Sequence, residues 1–221
     1  MLFQKLIGGS VPPAIVTYVT NVSNSSNLTT YTLTSVSIGT ASADRYVIVG
    51  FGASDGTAGK TDSSVTIGGV SATKLVGAYY VGGTTRMCAM YAALVPTGTT
   101  ATVAITFSGQ MSRLGVSVFS STGLQSVTPR DSATAQGDTS GTLLSASLTG
   151  PDGGFIVGFV FMQDELANFV WTGITERNDT ALENLARYSG ASDNFTVGGA
   201  KSVSVSTTQT DQFAVCAVYM R

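Results

Sequence analysis

Ser202-Val203-Ser204-Val205-Ser206 alternates one apolar side chain with one hydroxyl, and this two-residue period runs along almost the whole chain. A strand presents successive side chains to opposite faces, so the period sorts the chain into strands with one covered and one wet face. Ile15 to Val19, Tyr31 to Ile38, Tyr46 to Phe51, Val65 to Ile67, Ala72 to Val81, Thr84 to Val95, Ala101 to Phe107, Leu114 to Phe119 and Leu143 to Leu148 read the same way. Gly68-Gly69, Gly82-Gly83, Pro96-Thr97-Gly98 and Pro151-Asp152-Gly153-Gly154 punctuate them with turn residues. Phe155 to Phe161 and Phe213 to Tyr219 have no polar face, and the first is expected as a central strand covered on both sides. A Ser/Thr/Gly/Asp stretch from about Thr122 to Gly141 is expected as a loop between two series of strands. Thr180 to Arg187 is the one place with helix-forming residues, and a strand or short turn is expected there too. About a dozen strands at such spacing predict an all-β, two-sheet β-sandwich or jelly roll. The expected organisation is an N-terminal arm over residues 1–13 and a single jelly-roll-like domain over residues 14–221.

Composition agrees and narrows the partners. Only 11% of residues are charged, against about 25% in ordinary soluble domains. Hydroxyls stand in their place, with 26 Ser and 31 Thr, which favour strands and turns. The net charge of −2 and the scattered Arg86, Arg113, Arg130, Arg177 and Arg187 offer no basic face for nucleic acid. No apolar stretch approaches the length of a membrane span, so no membrane partner is expected. MLFQKLIGGSVPP has no apolar core of signal-peptide length, which predicts assembly in a cytoplasm rather than general secretion. Cys88 and Cys216 each sit in an apolar strand run and are expected as two free buried thiols.

Four clusters carry possible chemistry. Gly52-Ala53-Ser54-Asp55-Gly56 fits G-x-S-x-G, the nucleophile turn of some hydrolases. That serine needs a base, and the chain has no histidine and only Lys5, Lys60, Lys74 and Lys201. A strand precedes the pattern but no helix follows, so it is expected as a connecting loop that uses glycine for positive φ. Glu165, Glu176 and Glu183 flank the sole tryptophan, Trp171, and two carboxylates beside a stacking aromatic are the parts of a glycosidase. Their spacing does not put them on one strand face, and the expected role is a polar loop with Trp171 packed on the sheet edge. Asp55 to Asp62 lacks the alternating oxygens of a calcium loop, so no metal is expected. Tyr79, Tyr80 and Tyr91 are candidates for a sugar platform, although adjacent tyrosines on a strand face opposite ways. No catalytic residue and no cofactor is assigned.

GVSATKLVGAYYVGGTTRMCAMYAALVPTGTTATVAITFSG, Gly69 to Gly109, with RLGVSVFSSTGL after it, resembles a family of tailed-bacteriophage structural proteins. These are jelly-roll domains found as head decoration (cement) proteins or in tail appendages. The resemblance covers the central third of the chain. It implies a non-enzymatic, trimeric virion protein whose partner is the major capsid protein or another virion protein. A tail or head-fibre module that binds a host-surface glycan or another tail protein is the alternative it leaves open. The residues add a route of attachment. Leu2, Phe3, Leu6 and Ile7 are apolar, and Gly8-Gly9-Ser10 with Pro12-Pro13 sets them apart from the first strand. An apolar tip on a flexible hinge suits an arm that reaches a neighbouring subunit.

Overall fold

The computed structural model describes residues 11–80, 82–183 and 185–221, and among them every element is a strand. The first half holds β1 (Ile15–Asn24), β2 (Leu28–Ser37), β3 (Tyr46–Asp55), β4 (Asp62–Ile67), β5 (Val70–Ser71), β6 (Thr73–Tyr80), β7 (Thr85–Leu94), β8 (Thr100–Met111) and β9 (Arg113–Thr122). The second holds β10 (Asp131–Gly137), β11 (Gly141–Gly150), β12 (Gly154–Met162), β13 (Val170–Thr172), β14 (Thr175–Leu182), β15 (Ala186–Phe195), β16 (Gly199–Thr207) and β17 (Phe213–Met220). All pairings are antiparallel. The all-β sandwich expected from the sequence is therefore present, and the two-sheet unit is present twice.

The two halves repeat one topology. Sheet β1-β9-β3-β7-β6 faces β2-β8-β4-β5, and sheet β10-β17-β12-β15-β14 faces β11-β16-β13. Taken strand by strand, β1, β9, β3, β7 and β6 match β10, β17, β12, β15 and β14, while β2, β8 and β4 match β11, β16 and β13. In each half the first strand lies beside the last, and the chain crosses between sheets at most steps, apart from the hairpins β4–β5, β6–β7 and β14–β15, which is close to jelly-roll order. The sequence carries a trace of the repeat in Ile48-Val49-Gly50-Phe51 and Ile156-Val157-Gly158-Phe159, on the matching strands β3 and β12.

The four sheets stack into four layers with three apolar seams. Val49, Phe51, Tyr91, Ile105 and Phe107 fill the first half's own sandwich. Ile156, Val160, Trp171, Val205 and Tyr219 fill the second's. The middle seam joins the halves, with Ile48, Cys88, Met90 and Phe119 on one side and Phe159, Phe161, Tyr188 and Cys216 on the other. The two middle sheets are thus covered on both faces, and β12 lies in one of them, buried along its whole length as its apolar run predicts. Cys88 and Cys216 are free thiols whose Sγ atoms lie 3.2 Å apart across this seam.

The middle seam is interlocked. A Cβ at Gly50 would lie 3.0 Å from Phe159, one at Gly52 only 2.3 Å from Phe161 Cβ, and one at Gly115 2.4 Å from Tyr188. These glycines are holes, and the rings of β12 and β15 fill them. Phe159 and Tyr188 stack on each other at 5.9 Å between centroids, so the inserted rings also brace one another.

Two local expectations change and a third holds. Residues 122–141 are not all loop, since β10 pairs with β17 from Asp131↔Tyr219 to Gly137↔Phe213. Asp-Ser-Ala-Thr-Ala-Gln has weak strand preference, and the open edge of a buried strand supplies the hydrogen bonds that propensity does not. In β2 the alternation is not continuous: the register shifts between Leu33 and Val36, and Ser35 has φ 57°. That bulge changes the phase, so Tyr31 and Val36 both reach the core. Thr180 to Arg187 is strand, turn and strand, as expected.

Gly52 and Gly56 test the interlock within one short motif. Gly52→Ala drives a methyl into Phe161 at its rigid Cβ and should cost about 1–3 kcal/mol or more. Gly56→Ala meets nothing within 4 Å and should be neutral. Chemical denaturation of both variants checks this, and equal midpoints would mean the seam does not close as described.

Candidate functional site

Leu2, Phe3, Leu6 and Ile7 lie outside the described residues. Their root does not. Arg221 donates from Nη1 to Pro12 O at 2.6 Å and from Nη2 to Val11 O at 3.2 Å. Ala14 N donates to Gly153 O at 2.7 Å. Val11, Pro12 and Pro13 line a shallow cleft with Asp152, Gly153, Thr196 and Arg221. The chain therefore enters β1 from a place fixed by the end of β17 and the β11–β12 turn of the other half.

The G-x-S-x-G segment is strand, which corrects its reading as a loop. Gly52 to Asp55 are the end of β3, and Gly52 is there for the close approach of Phe161 rather than for positive φ. Ser54 is 1% exposed, and its Oγ has no protein partner. Asp55 and Asp62 sit on separate lysines. Asp55 accepts from Lys60 Nζ, from Thr57 N at 2.8 Å and from Ser112 Oγ at 2.8 Å. Burial opposes its charge, but those bonds and the lysine outweigh it and hold the carboxyl at about 2. Asp62 accepts from Lys74 Nζ at 2.9 Å and from the hydroxyls of Tyr79 and Tyr91. Tyr79 and Tyr91 thus serve a buried carboxylate and do not form an open platform.

Trp171 is likewise interior. It covers Gly158, where a Cβ would be 2.6 Å away, and its Nε1 donates to Ser189 Oγ at 2.8 Å. It lies on β13, the edge strand of its sheet, in a short strand where a polar loop was expected, and its ring packs inward between the sheets of the second sandwich. Of the three glutamates only Glu165 lines a cleft, with Gln163, Asp164, Leu166, Leu185 and Asp211. Glu176 is exposed on β14, and Glu183 is exposed in the turn before β15.

A site that the sequence reading did not assemble lies where the middle seam ends. Ser54 pairs with Arg86 of β7 on one side and with Arg113 of β9 on the other. Directly paired residues share a face, so Arg86, Ser54 and Arg113 form a row across three neighbouring strands. The row continues the face of Gly50 and Gly52. Opposite it, Gln163 follows Phe159 and Phe161 at the end of β12, and Ser54, Asp55, Gly56, Arg86, Ser112, Arg113, Gln163 and Leu185 line one cleft of about 300 Å³. It adjoins the cleft of Glu165 through Gln163 and Leu185. Arg86 is 7% exposed and spends Nη1 on Asp55 O at 2.6 Å and Thr85 O at 2.7 Å. Among the described residues, Nε of Arg86, Nε of Arg113, Oγ of Ser54, Oε1 of Gln163 and Oε2 of Glu165 are buried without a partner. The signal in the sequence was two arginines at strand ends, and only the register reveals that they flank one serine.

No family model and no curated protein matches this chain. A solved structure, the PBSX exported protein XepA, is similar over 94% of this chain and 86% of that one, at 9% identity and a TM-score of 0.26. A likeness that slight carries no argument about either fold or role.

Two outcomes follow from these side chains. Asp55 titrates at about 2 when folded and near 3.8 when unfolded, so its ionised form contributes stability above about pH 4. That contribution disappears as pH falls from about 4 to 2, and Asp55→Asn should flatten the acid limb of the melting-temperature profile over that window. Ser54→Ala removes an unpartnered buried hydroxyl, so urea unfolding should show no loss and a gain of up to about 1 kcal/mol. A clear loss would show that the hydroxyl is satisfied in solution.

Proposed function

We propose that this protein is a structural component of a tailed-bacteriophage virion, and within that class a capsid decoration (cement) protein attached through its N-terminal arm. The resemblance of Gly69 to Gly109, with Arg113 to Leu124 after it, carries the reading. In the fold this stretch supplies β5 to β9, including β6, β7 and β9, three of the five strands of the sheet that meets the second half across the middle seam. The charged groups support it from another side. Asp55, Asp62, Asp179 and Asp193 each hold a lysine or arginine, a use that braces strands and loops. Arg45, wholly buried, gives Nε to Val95 O at 2.8 Å, Nη1 to Gly39 O at 2.7 Å and Nη2 to Thr97 O at 2.7 Å. The Arg221 clasp supports the attachment route, because a fixed root gives an apolar arm a defined reach. A homotrimer would place three arms on one capsid site and add their effects.

The second reading is a tail or head-fibre module that binds a host-surface glycan. The cleft beside Ser54 favours it, since its unpartnered donors and acceptors suit a small polar ligand. Copy number in the particle separates the two: hundreds per virion for decoration, and a small multiple of the tail symmetry for an appendage.

Removing residues 1–10 keeps Val11 and Pro12 on Arg221, so the circular-dichroism spectrum should stay unchanged. Each large apolar side chain of the arm offers about 1.5–3 kcal/mol on full burial, before ordering costs. The shortened protein should therefore co-sediment with undecorated capsids at least about tenfold more weakly than the full chain. Equal binding by both would take the arm out of the attachment mechanism.

A further inference from the structure

The chain shows how it treats its other arginines. Arg45 meets three carbonyls, Arg221 meets two, and Arg177 and Arg187 meet carboxylates. Arg86 and Arg113 depart from this pattern. Both have a buried Nε–H without a protein partner, and neither forms an ion pair among the described residues. A buried donor left unmet is costly and rare in a settled fold. Here two such donors lie on either side of a third unmet group, the Ser54 hydroxyl. Neighbouring strands are about 4.8 Å apart, so the two arginine backbones are separated by about 10 Å, a span that two long side chains close around one anion. Burial lowers the proton affinity of Arg86; Asp211 opposes it, the charge of Arg113 adds to it, and Asp55 opposes it more weakly. The pair is thus held together against its own repulsion.

The other wall asks for the opposite chemistry. Gln163 Oε1 and Glu165 Oε2 are buried acceptors without donors among the described residues. A bare oxyanion meets the arginines and leaves these two unmet, and an ionised carboxylate has no proton to give them. Asp164, Glu165 and Asp211 on that wall also repel a polyphosphate. A ligand that satisfies both walls carries one carboxylate and several hydroxyls. The two adjoining spaces, about 300 and 370 Å³, suit one or two small rings. Leu185, 52% exposed between them, offers an apolar surface for the C–H face of a ring.

We propose that the cleft between the halves binds an acidic sugar, with its carboxylate on the guanidiniums of Arg86 and Arg113 and its hydroxyls on Gln163 and Glu165. Planar guanidiniums take a carboxylate with paired, charge-assisted hydrogen bonds. Ser54 donates a further bond at the centre of the row. The site stands on the cleft alone and does not depend on the arm or on where in a virion the protein sits.

The full chain is titrated with glucuronate and N-acetylneuraminate, and with glucose, acetate and inorganic phosphate, by calorimetry and ligand-observed NMR. At least one sugar acid should bind, with glucose, acetate and phosphate at least about tenfold weaker. Arg113→Gln should lose that binding by about tenfold or more while the ligand-free melting temperature holds or rises, because an unpaired charge is removed. Gln163→Leu should bring the sugar acid towards the affinity of acetate. No binding of either sugar acid overturns the proposal, as does phosphate or acetate binding as tightly as they do. A lower melting temperature in Arg113→Gln with binding intact assigns that residue to the fold and also overturns it. Capsid co-sedimentation of Arg113→Gln should be unchanged, so a failure here stays separate from a failure of the arm.

Discussion

Everything about this molecule turns on how two large sheets meet face to face. Sheets pack about 10 Å apart when ordinary side chains interdigitate. The middle seam adds a stricter condition, because Phe159, Phe161 and Tyr188 descend onto Gly50, Gly52 and Gly115. A ring needs a hole of its own size opposite, and glycine provides one without disturbing the strand that carries it. The contact is unequal: where Phe159, Phe161 and Tyr188 meet glycine, the first half supplies the holes and the second the rings. Two sandwiches with the same strand order therefore do not meet as equivalent surfaces.

That inequality decides where a cleft can exist. Along β3 the face towards the seam reads Ile48, Gly50, Gly52, Ser54, and along β12 it reads Phe155, Val157, Phe159, Phe161, followed by Gln163. While glycine faces a ring, the seam is dry and closed. One step further, serine faces glutamine, and neighbouring strands contribute arginine at the same level. The seam opens there, and polar groups replace apolar ones on both walls. The site is the place where the interlock stops, and its position is as fixed as the interlock that precedes it.

The sequence disclosed strands far better than layers. A period of two is local, so β16 with its Ser-Val-Ser-Val-Ser and the wholly apolar β12 were legible from their own residues. The double covering of β12 was legible too, but not the doubling of the sandwich, because burial on two faces does not say how many sheets lie beyond. Ile48 to Phe51 and Ile156 to Phe159 held the clue to the repeat, and both segments read as ordinary apolar strand. β10 was hidden, since its hydrogen bonds come from β17 and its own residues ask for none. Gly52 was read through a motif when its reason was a ring more than a hundred residues away in sequence. Arg86 and Arg113 looked scattered because cross-strand register, which makes them neighbours of Ser54, depends on turns and bulges that no single strand encodes.

The cost of that arginine row clarifies why it lies at the rim of the seam. A guanidinium with a buried, unmet N–H destabilises any fold, and two side by side repel as well. Cancelling them was within this chain's means, as Arg45 demonstrates with three carbonyl acceptors in a wholly buried position. Asp55 lies beside the row, yet its side chain is committed to Lys60, Thr57 and Ser112, and only its carbonyl serves Arg86. The Asp55 carboxylate is thus kept off the arginines by a lysine that neutralises it. The apolar seam behind, locked by rings in glycine holes, is what allows the unmet groups to stand in a fixed arrangement without pulling the two halves apart.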